Sequence, residues 1–312
     1  MDIFLRSISG ILVILGMILV GFIIGEKGWF DDKSRGLLAK LVTQVALPCY
    51  MLYTITQRFT AADLLKMLPA LRFPALSMVI LLGIATAVAR IFAVRQDRRG
   101  LFISMFFNSN TIFVGLPINQ ALFGDDSIPY VLIYYMCNTT FFWTLGTYLI
   151  QRDGEGEARF DLKTSLKKVF SPPLMGFLLG LVLVMLQIKL PAFLASDLQY
   201  LGNLTTPLSM IFIGLSVSHV GVKQLVLGKD QLLILLGRFL VAPLLMATIV
   251  YWVPLPSLMK QVFIIQSAMP VMTNAPVVAS LYGADSDYAA VMVTETTLAT
   301  MVVIPILMLL MA

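Results

Sequence analysis

The sequence predicts an all-α integral membrane protein with ten transmembrane helices. Of its 312 residues, 59% are hydrophobic and only 12% are charged, whereas soluble domains carry about 25% charged residues. A surface with so few charges needs lipid as its main solvent. Ten segments approach the ~20 apolar residues that a helix needs to cross the hydrocarbon core. We predict spans at 6–25, 36–57, 68–92, 99–123, 128–150, 171–188, 199–218, 231–253, 260–282 and 287–311.

Composition and motifs also exclude several functions. The two cysteines, Cys49 and Cys137, lie in apolar stretches and indicate no disulfide framework. The single histidine, His219, is too little for a metal site, and the basic residues fall in loops between spans rather than in a nucleic-acid-binding patch. Catalytic patterns such as HExxH and GxSxG are absent, and so is a phosphate-binding Walker loop. We therefore expect no enzyme, no cofactor and no ATP coupling within this chain.

The distribution of lysine and arginine predicts the orientation in the membrane. Fifteen of these residues fall in or beside the loops that follow odd-numbered spans, and six fall on the opposite side. Positively charged loops stay in the cytoplasm. We therefore expect a multi-pass protein of the plasma (inner) membrane, with both termini outside and the central loop in the cytoplasm.

An internal repeat divides the chain into two halves. Pro48 and Pro207 are 159 residues apart, and so are Pro117 and Pro276. The same separation relates Gly21 to Gly180, Met51 to Met210, Leu122 to Leu281, Gly124 to Gly283 and Ser127 to Ser286. We predict a first five-helix repeat at 1–150, a cytoplasmic linker at 151–170 and a second repeat at 171–312. Because five spans is an odd number, the two repeats should be inverted, as in many secondary transporters.

Both the fourth and the ninth span carry helix-breaking residues near their middle. Pro117 follows two asparagines in the fourth span, and Pro270 and Pro276 flank Asn274 in the ninth. Matching interrupted helices point to a binding site, because the half-helix N-termini offer free N–H groups and a positive dipole end to an anion. The alternative is that the asparagines only cap the broken backbone. The residues we expect to bind substrate are Asn108, Asn110, Thr111, Gly115, Pro117, Thr273, Asn274 and Pro276.

The fourth span resembles a known family. Its segment Asn110-Thr111-Ile112-Phe113-Val114-Gly115-Leu116-Pro117 is similar to the fourth-helix signature of the auxin efflux carrier family, which includes plant auxin exporters and bacterial organic-acid permeases. Asn274-Ala275-Pro276 and Leu281-Tyr282-Gly283 resemble the ninth-helix pattern of the bacterial members, and Leu47-Pro48 fits the second helix. The resemblance extends over nearly the whole chain.

This resemblance implies that the broken helices 4 and 9 cross at the membrane midplane. Helices 1, 2, 6 and 7 would then form a scaffold, which leaves a homodimer through the scaffold open, and helices 3–5 and 8–10 would move as a transport unit, elevator-fashion. Asn110 matches the asparagine that contacts the carboxylate substrate in the family. The bacterial relatives suggest a malate-like or malonate-like acid rather than auxin.

Two ionisable residues lie well inside predicted spans, which makes them functional candidates. Arg238 is in the eighth span and Glu295 in the tenth. At 1.5 Å per residue, we expect both at a depth of roughly 10–12 Å from the cytoplasmic side, where they could form a charge pair. In the alternative hypothesis, Glu295 takes up a coupling proton, while Arg238 holds Glu295 ionised or attracts the substrate.

These features together favour a secondary transporter that moves a small organic anion by alternating access. A channel and an intramembrane enzyme are the competing interpretations. Coupling to protons, coupling to sodium and uncoupled transport remain open from the sequence.

Overall fold

The protein is described by a computed structural model over residues 2–154, 170–220 and 228–311, and within these ranges it contains helices and no strand. The predicted linker falls largely at 155–169, outside the described residues. The α-helices are Asp2–Glu26, Asp32–Leu41, Leu47–Arg58, Ala61–Met67, Arg72–Ile91, Arg99–Phe107, Gly115–Phe123, Ile128–Phe141, Thr147–Gln151, Pro172–Met185, Ala192–Asn203, Thr205–Val220, Lys229–Leu236, Ala242–Tyr251, Ser257–Ser267, Ala275–Tyr282 and Ser286–Met311. Short 3₁₀ turns lie at Leu68–Leu71, Gln96–Arg98 and Asp125–Ser127.

In the part of the chain that the structure describes, three π-helical segments join neighbouring α-helices into continuous helices. They are Val42–Ala46, Phe142–Gly146 and Gly237–Val241. A π-turn widens the helix by one residue and re-aims the side chains around it, and such turns are frequent at functional sites. The sequence analysis did not anticipate any of the three.

Within the described residues, five helices are long and apolar enough to cross a membrane. They are Lys33–Arg58, Leu64–Ile91, Ala192–His219, Lys229–Tyr251 and Ser286–Met311, and shorter apolar helices lie at Leu15–Glu26 and Pro172–Met185. The prediction of an all-α membrane protein is confirmed at this level. The arrangement as ten helices in two inverted repeats stays a prediction.

Two short helices end at residues that are 159 apart, the separation found in the sequence. Gly115–Phe123 and Ala275–Tyr282 are both short helices that follow an interruption. Each is followed by a glycine with positive φ, 71° at Gly124 and 72° at Gly283. Glycine adopts a positive φ without the steric cost that a Cβ atom imposes. Each glycine therefore lets the chain turn away from the helix that it follows.

The chain separates into two compact units. One consists of Met1–Leu12, Leu71–Leu166 and Val220–Ala312, and the other of Val13–Ala70 and Lys167–His219. The first unit contains most of predicted spans 3–5 and 8–10, including both interrupted helices. The second unit contains most of predicted spans 1, 2, 6 and 7.

Within the second unit, glycines let helices approach to backbone contact. A Cβ atom on Gly214 would overlap the Ile18 carbonyl oxygen, and one on Gly21 would overlap the Ile211 carbonyl oxygen. A Cβ atom on Gly176 would stand 2.8 Å from the Pro48 Cα atom. Small residues at such contacts are typical of membrane helix packing, where van der Waals contact supplies much of the association energy.

We expect Gly214→Val to destabilise the protein by about 1–3 kcal/mol, the usual cost of overpacking. The added side chain has to push the backbone at Ile18 away. Thermal unfolding of the purified protein in detergent measures the effect. Gly16→Val is the matched control because, apart from its chain neighbours and its own helix backbone, no atom of the described residues lies within 4 Å of a Cβ built there. Equal melting temperatures for the two variants would contradict the close packing.

Hydrogen bonds and an ion pair connect three helices at one end of the first unit. Asp153 accepts the N–H groups of Gly100 (2.9 Å) and Leu101 (2.6 Å), so it caps the helix that begins at Arg99. Burial raises the pKa of the Asp153 carboxyl group, and the two N–H contacts act in the opposite direction. Arg98 forms a 2.6 Å ion pair with Asp230. These contacts join the start of the fourth span to the end of the fifth and the start of the eighth.

Candidate functional site

Both central helices of the first unit are interrupted at the predicted places. The fourth span consists of Arg99–Phe107 and Gly115–Phe123, and the ninth of Ser257–Ser267 and Ala275–Tyr282. Proline explains where each helix resumes, because its missing N–H is harmless in the first turn, where no intrahelical acceptor exists. Pro117 and Pro276 both occupy such first-turn positions.

The two interruptions contact each other directly. Ser109 and Val271 form an isolated antiparallel bridge, and the Asn110 N–H donates to the Pro270 carbonyl at 2.8 Å. The Asn110 side-chain amide also donates to the Thr273 hydroxyl. Two of the predicted substrate-binding residues are therefore in contact, although they lie in different halves of the sequence.

Neighbouring helices hold this contact through its backbone. The Asn138 side chain accepts the Ser109 N–H at 2.8 Å and donates to the Ser109 carbonyl at 2.7 Å. The Thr296 hydroxyl accepts the Val271 N–H at 3.1 Å. Each bridge residue is thus held by a polar side chain of the following span. In hydrocarbon, irregular backbone persists only where such groups satisfy it.

Asn110 caps the broken backbone, which is the alternative that the sequence left open. One of its two side-chain N–H groups remains available for another acceptor. Its Oδ1 atom accepts the Phe113 N–H at 3.1 Å, and its main-chain carbonyl accepts the Gly115 N–H at 3.0 Å. The side-chain amide carries two N–H groups, of which Thr273 takes one. Capping and substrate binding are therefore compatible in this residue.

Asn274 sits differently from Asn110. It occupies the N-cap position of the helix Ala275–Tyr282 but makes no side-chain capping bond. The residue is half-buried, so part of its surface is accessible. Pro276 beside it is also half-buried, whereas Thr111, Gly115 and Pro117 are buried.

Gln266 is a site residue that the sequence analysis missed. It is fully buried, and its side-chain amide donates to the Thr111 carbonyl at 3.2 Å. A Cβ atom on Gly115 would overlap the Gln266 side-chain oxygen, so Gly115 makes room for this contact. The Gln266 Oε1 and Asn108 Oδ1 atoms are buried without a hydrogen-bond partner. The interruptions therefore contain unused acceptors as well as donors.

Arg238 and Glu295 are both buried, as predicted, but they do not form an ion pair with each other. Every hydrogen bond of Arg238 goes to a backbone carbonyl, of Phe106, Ser267 or Met269. Both carboxylate oxygens of Glu295 are buried, and no described residue forms a hydrogen bond with them. The two residues therefore lie in separate environments instead of forming the charge pair considered from the sequence. Whether either residue takes part in coupling stays a prediction.

Long apolar helices, together with two interrupted helices that meet inside one unit, define a multi-pass membrane protein of the transporter class. A family model described as membrane transport protein matches residues 7–308. The chain belongs to this family, which confirms the resemblance to the auxin efflux carriers.

Two archaeal proteins are similar to the chain over nearly its whole length. An uncharacterized transporter of Methanocaldococcus jannaschii is 27% identical over 299 residues, which cover 94% of this chain and 95% of that protein. An uncharacterized transporter of Methanothermobacter thermautotrophicus is 28% identical over 312 residues, which cover 97% of this chain and 98% of that protein. Both names indicate a transporter rather than an enzyme.

Proposed function

We propose that this chain is a secondary active transporter that moves a small carboxylate across the plasma (inner) membrane by alternating access. The substrate site lies where the two interrupted helices meet, and Asn110 is its central residue. The observation that carries this proposal is the spare amide N–H of Asn110 beside Thr273 and the half-buried Asn274. Carboxylates bind well to such donors at helix N-termini, where the helix dipole is positive.

The division into two units supports an elevator-type mechanism. In this proposal, Leu71–Leu166 with Val220–Ala312 form the transport unit, and Val13–Ala70 with Lys167–His219 form the scaffold. The two halves of the chain are inverted repeats, both termini lie outside and the linker lies in the cytoplasm. A homodimer would form through the scaffold helices. Protons or sodium would drive the cycle.

Binding of carboxylates by the purified protein tests this proposal. A ligand that binds only the folded state at 100 times its Kd adds about 2.7 kcal/mol of stability, which corresponds to a rise in Tm of roughly 5–10 °C. We expect one acid from a panel that includes malonate, malate and indole-3-acetate to produce such a rise in the wild type. Asn110→Ala should remove the rise.

Asn203→Ala is the control because Asn203 is an exposed asparagine outside the first unit. It should keep the ligand-induced rise. Since Asn110 also caps the backbone, the quantity to compare is the rise in Tm and not Tm itself. Counterflow of the stabilising acid in proteoliposomes then separates a transporter from a channel, which shows none. If no acid stabilises the wild type, the carboxylate assignment is wrong.

A further inference from the structure

Arg238 is completely buried and lies at the start of a helix irregularity. Its relative exposure is 0%, and it is the second residue of the π-helical segment Gly237–Val241. The helix that carries it lies against the fourth span, because a Cβ atom on Gly237 would overlap the Phe106 ring. Glycine at this position brings the arginine within reach of both interrupted helices.

The guanidinium group binds the carbonyl ends of both interrupted helices. Its Nη1 atom donates to the Phe106 carbonyl at 3.2 Å. Its Nη2 atom donates to Ser267 at 2.5 Å and to Met269 at 2.9 Å, and its Nε atom donates to Met269 at 3.0 Å. Phe106 lies in the last turn of Arg99–Phe107, and Ser267 is the last residue of Ser257–Ser267.

The carbonyls of Phe106 and Ser267 are groups that an interrupted helix leaves without a partner, and the Met269 carbonyl lies in the interruption itself. The last carbonyls of a helix have no intrahelical donor, and the C-terminal end of the dipole is negative. Within a membrane, unsatisfied groups of this kind are costly. One planar cation with several donors, which only arginine offers, serves both helix ends at once.

The arginine is also directly connected to the substrate site. Met269, which accepts two of its hydrogen bonds, precedes Pro270, whose carbonyl accepts the Asn110 N–H. Phe106 is four residues before Asn110 in the same span. A displacement of the guanidinium group would therefore move both sides of the contact between Asn110 and Thr273.

We propose that Arg238 is a positioning residue that holds the two interruptions in register, so that Asn110 and Thr273 form one site. It acts through the backbone of both interrupted helices and does not touch the substrate. The proposal about register rests on the geometry alone, whereas its consequence for substrate affinity rests on the proposed function.

A disulfide at the bridge between the interruptions measures the register without any substrate. The bond from Asn110 to Pro270 makes Ser109 and Val271 directly opposite residues of a non-hydrogen-bonded antiparallel pair, in which side chains are close enough for a disulfide. Asn138 and Thr296 bind backbone atoms of these two residues, so Ser109→Cys and Val271→Cys leave those contacts intact. The background lacks Cys49 and Cys137.

We expect Arg238→Lys to slow formation of this disulfide about tenfold, the effect of losing one charge-assisted hydrogen bond. Arg90→Lys, at an exposed arginine near the end of Arg72–Ile91, should not change the rate. An unchanged rate in Arg238→Lys would overturn the proposal. If that variant does not fold, Gly237→Ala provides the same test, because its methyl group would press on the Phe106 ring.

Uptake of radiolabelled malonate or malate into proteoliposomes then tests the consequence for affinity. We expect Arg238→Lys to raise KM about tenfold, by the same energetic argument, with a nearly unchanged maximal rate. An unchanged KM, in a wild type that does transport the acid, would show that register does not control affinity. A wild type that transports neither acid would count against the proposed function, and the disulfide rates would still decide the role of Arg238.

Discussion

Asn138→Leu is expected to lower the melting temperature of the protein by roughly 10 °C, from a loss of about 2–6 kcal/mol. Asn138 is fully buried and satisfies both the N–H and the carbonyl of Ser109. Leucine has a similar volume but no polar atom, so two backbone groups would remain buried without partners. Each such group costs about 1–3 kcal/mol. Thermal unfolding in detergent measures the difference.

Asn119→Leu is the matched control for this prediction. Asn119 is also fully buried, but its side chain donates to the Gly115 carbonyl of its own helix. That carbonyl also receives the backbone N–H four residues later, as in any α-helix. Its loss should therefore cost less than half as much. If Asn119→Leu lowers Tm as far as Asn138→Leu does, the two hydrogen bonds between the Asn138 side chain and the Ser109 backbone have no special role in stability.

Asn138→Leu should also remove the rise in Tm that a carboxylate produces in the wild type. Ser109 immediately precedes Asn110, so releasing its backbone displaces the amide that we propose as the substrate donor. A variant that is less stable but keeps the full ligand-induced rise in Tm would show that the hydrogen bonds between Asn138 and Ser109 contribute to stability alone.

The interruptions could be located from the sequence because their cause is local. Pro117 and Pro276 mark the first turn of each resumed helix, and the 159-residue separation predicts that they are equivalent. The crossing of the two interrupted helices was expected only from the resemblance, and the contact between Asn110 and Thr273 was not predicted. No local pattern indicates which residues of two distant interruptions meet.

The partners of Arg238 could not be predicted for a different physical reason. A buried arginine requires acceptors, and the sequence offered Glu295 as the only buried carboxylate at similar depth. The acceptors that it finds are backbone carbonyls, which every residue carries and which become available only where a helix ends. Gln266 and Thr296 were missed likewise, because each bonds a backbone atom of the interruption in a distant segment.

Glu295→Gln is expected to abolish accumulation of substrate driven by a pH gradient, while downhill counterflow continues. Both carboxylate oxygens of Glu295 are buried without a hydrogen-bond donor. An ionised carboxylate in such a place costs several kcal/mol, and uptake of a proton removes this cost. The adjacent residue, Thr296, holds the Val271 N–H, so a change of charge at position 295 acts next to the substrate site.

The measurement compares uptake of the stabilising acid into proteoliposomes with and without an imposed pH gradient. Wild type should accumulate the acid at least about tenfold more with the gradient, since one pH unit corresponds to 1.36 kcal/mol, or a factor of ten, for each coupled proton. Glu295→Gln should show no such difference. Glu26→Gln is the control, because Glu26 is an exposed carboxylate that accepts the Ser218 hydroxyl at 2.6 Å.

Two outcomes would refute a proton at Glu295. The first is a variant that keeps the full dependence on the pH gradient. The second is a wild type that accumulates the acid in response to a sodium gradient and not in response to a pH gradient. In that case a sodium ion, and not a proton, would neutralise the buried carboxylate. Sodium needs several oxygen ligands, whereas a proton needs only the carboxylate itself. No hydrogen-bond donor among the described residues offsets a negative charge on either oxygen of Glu295, and a bound proton would remove that charge.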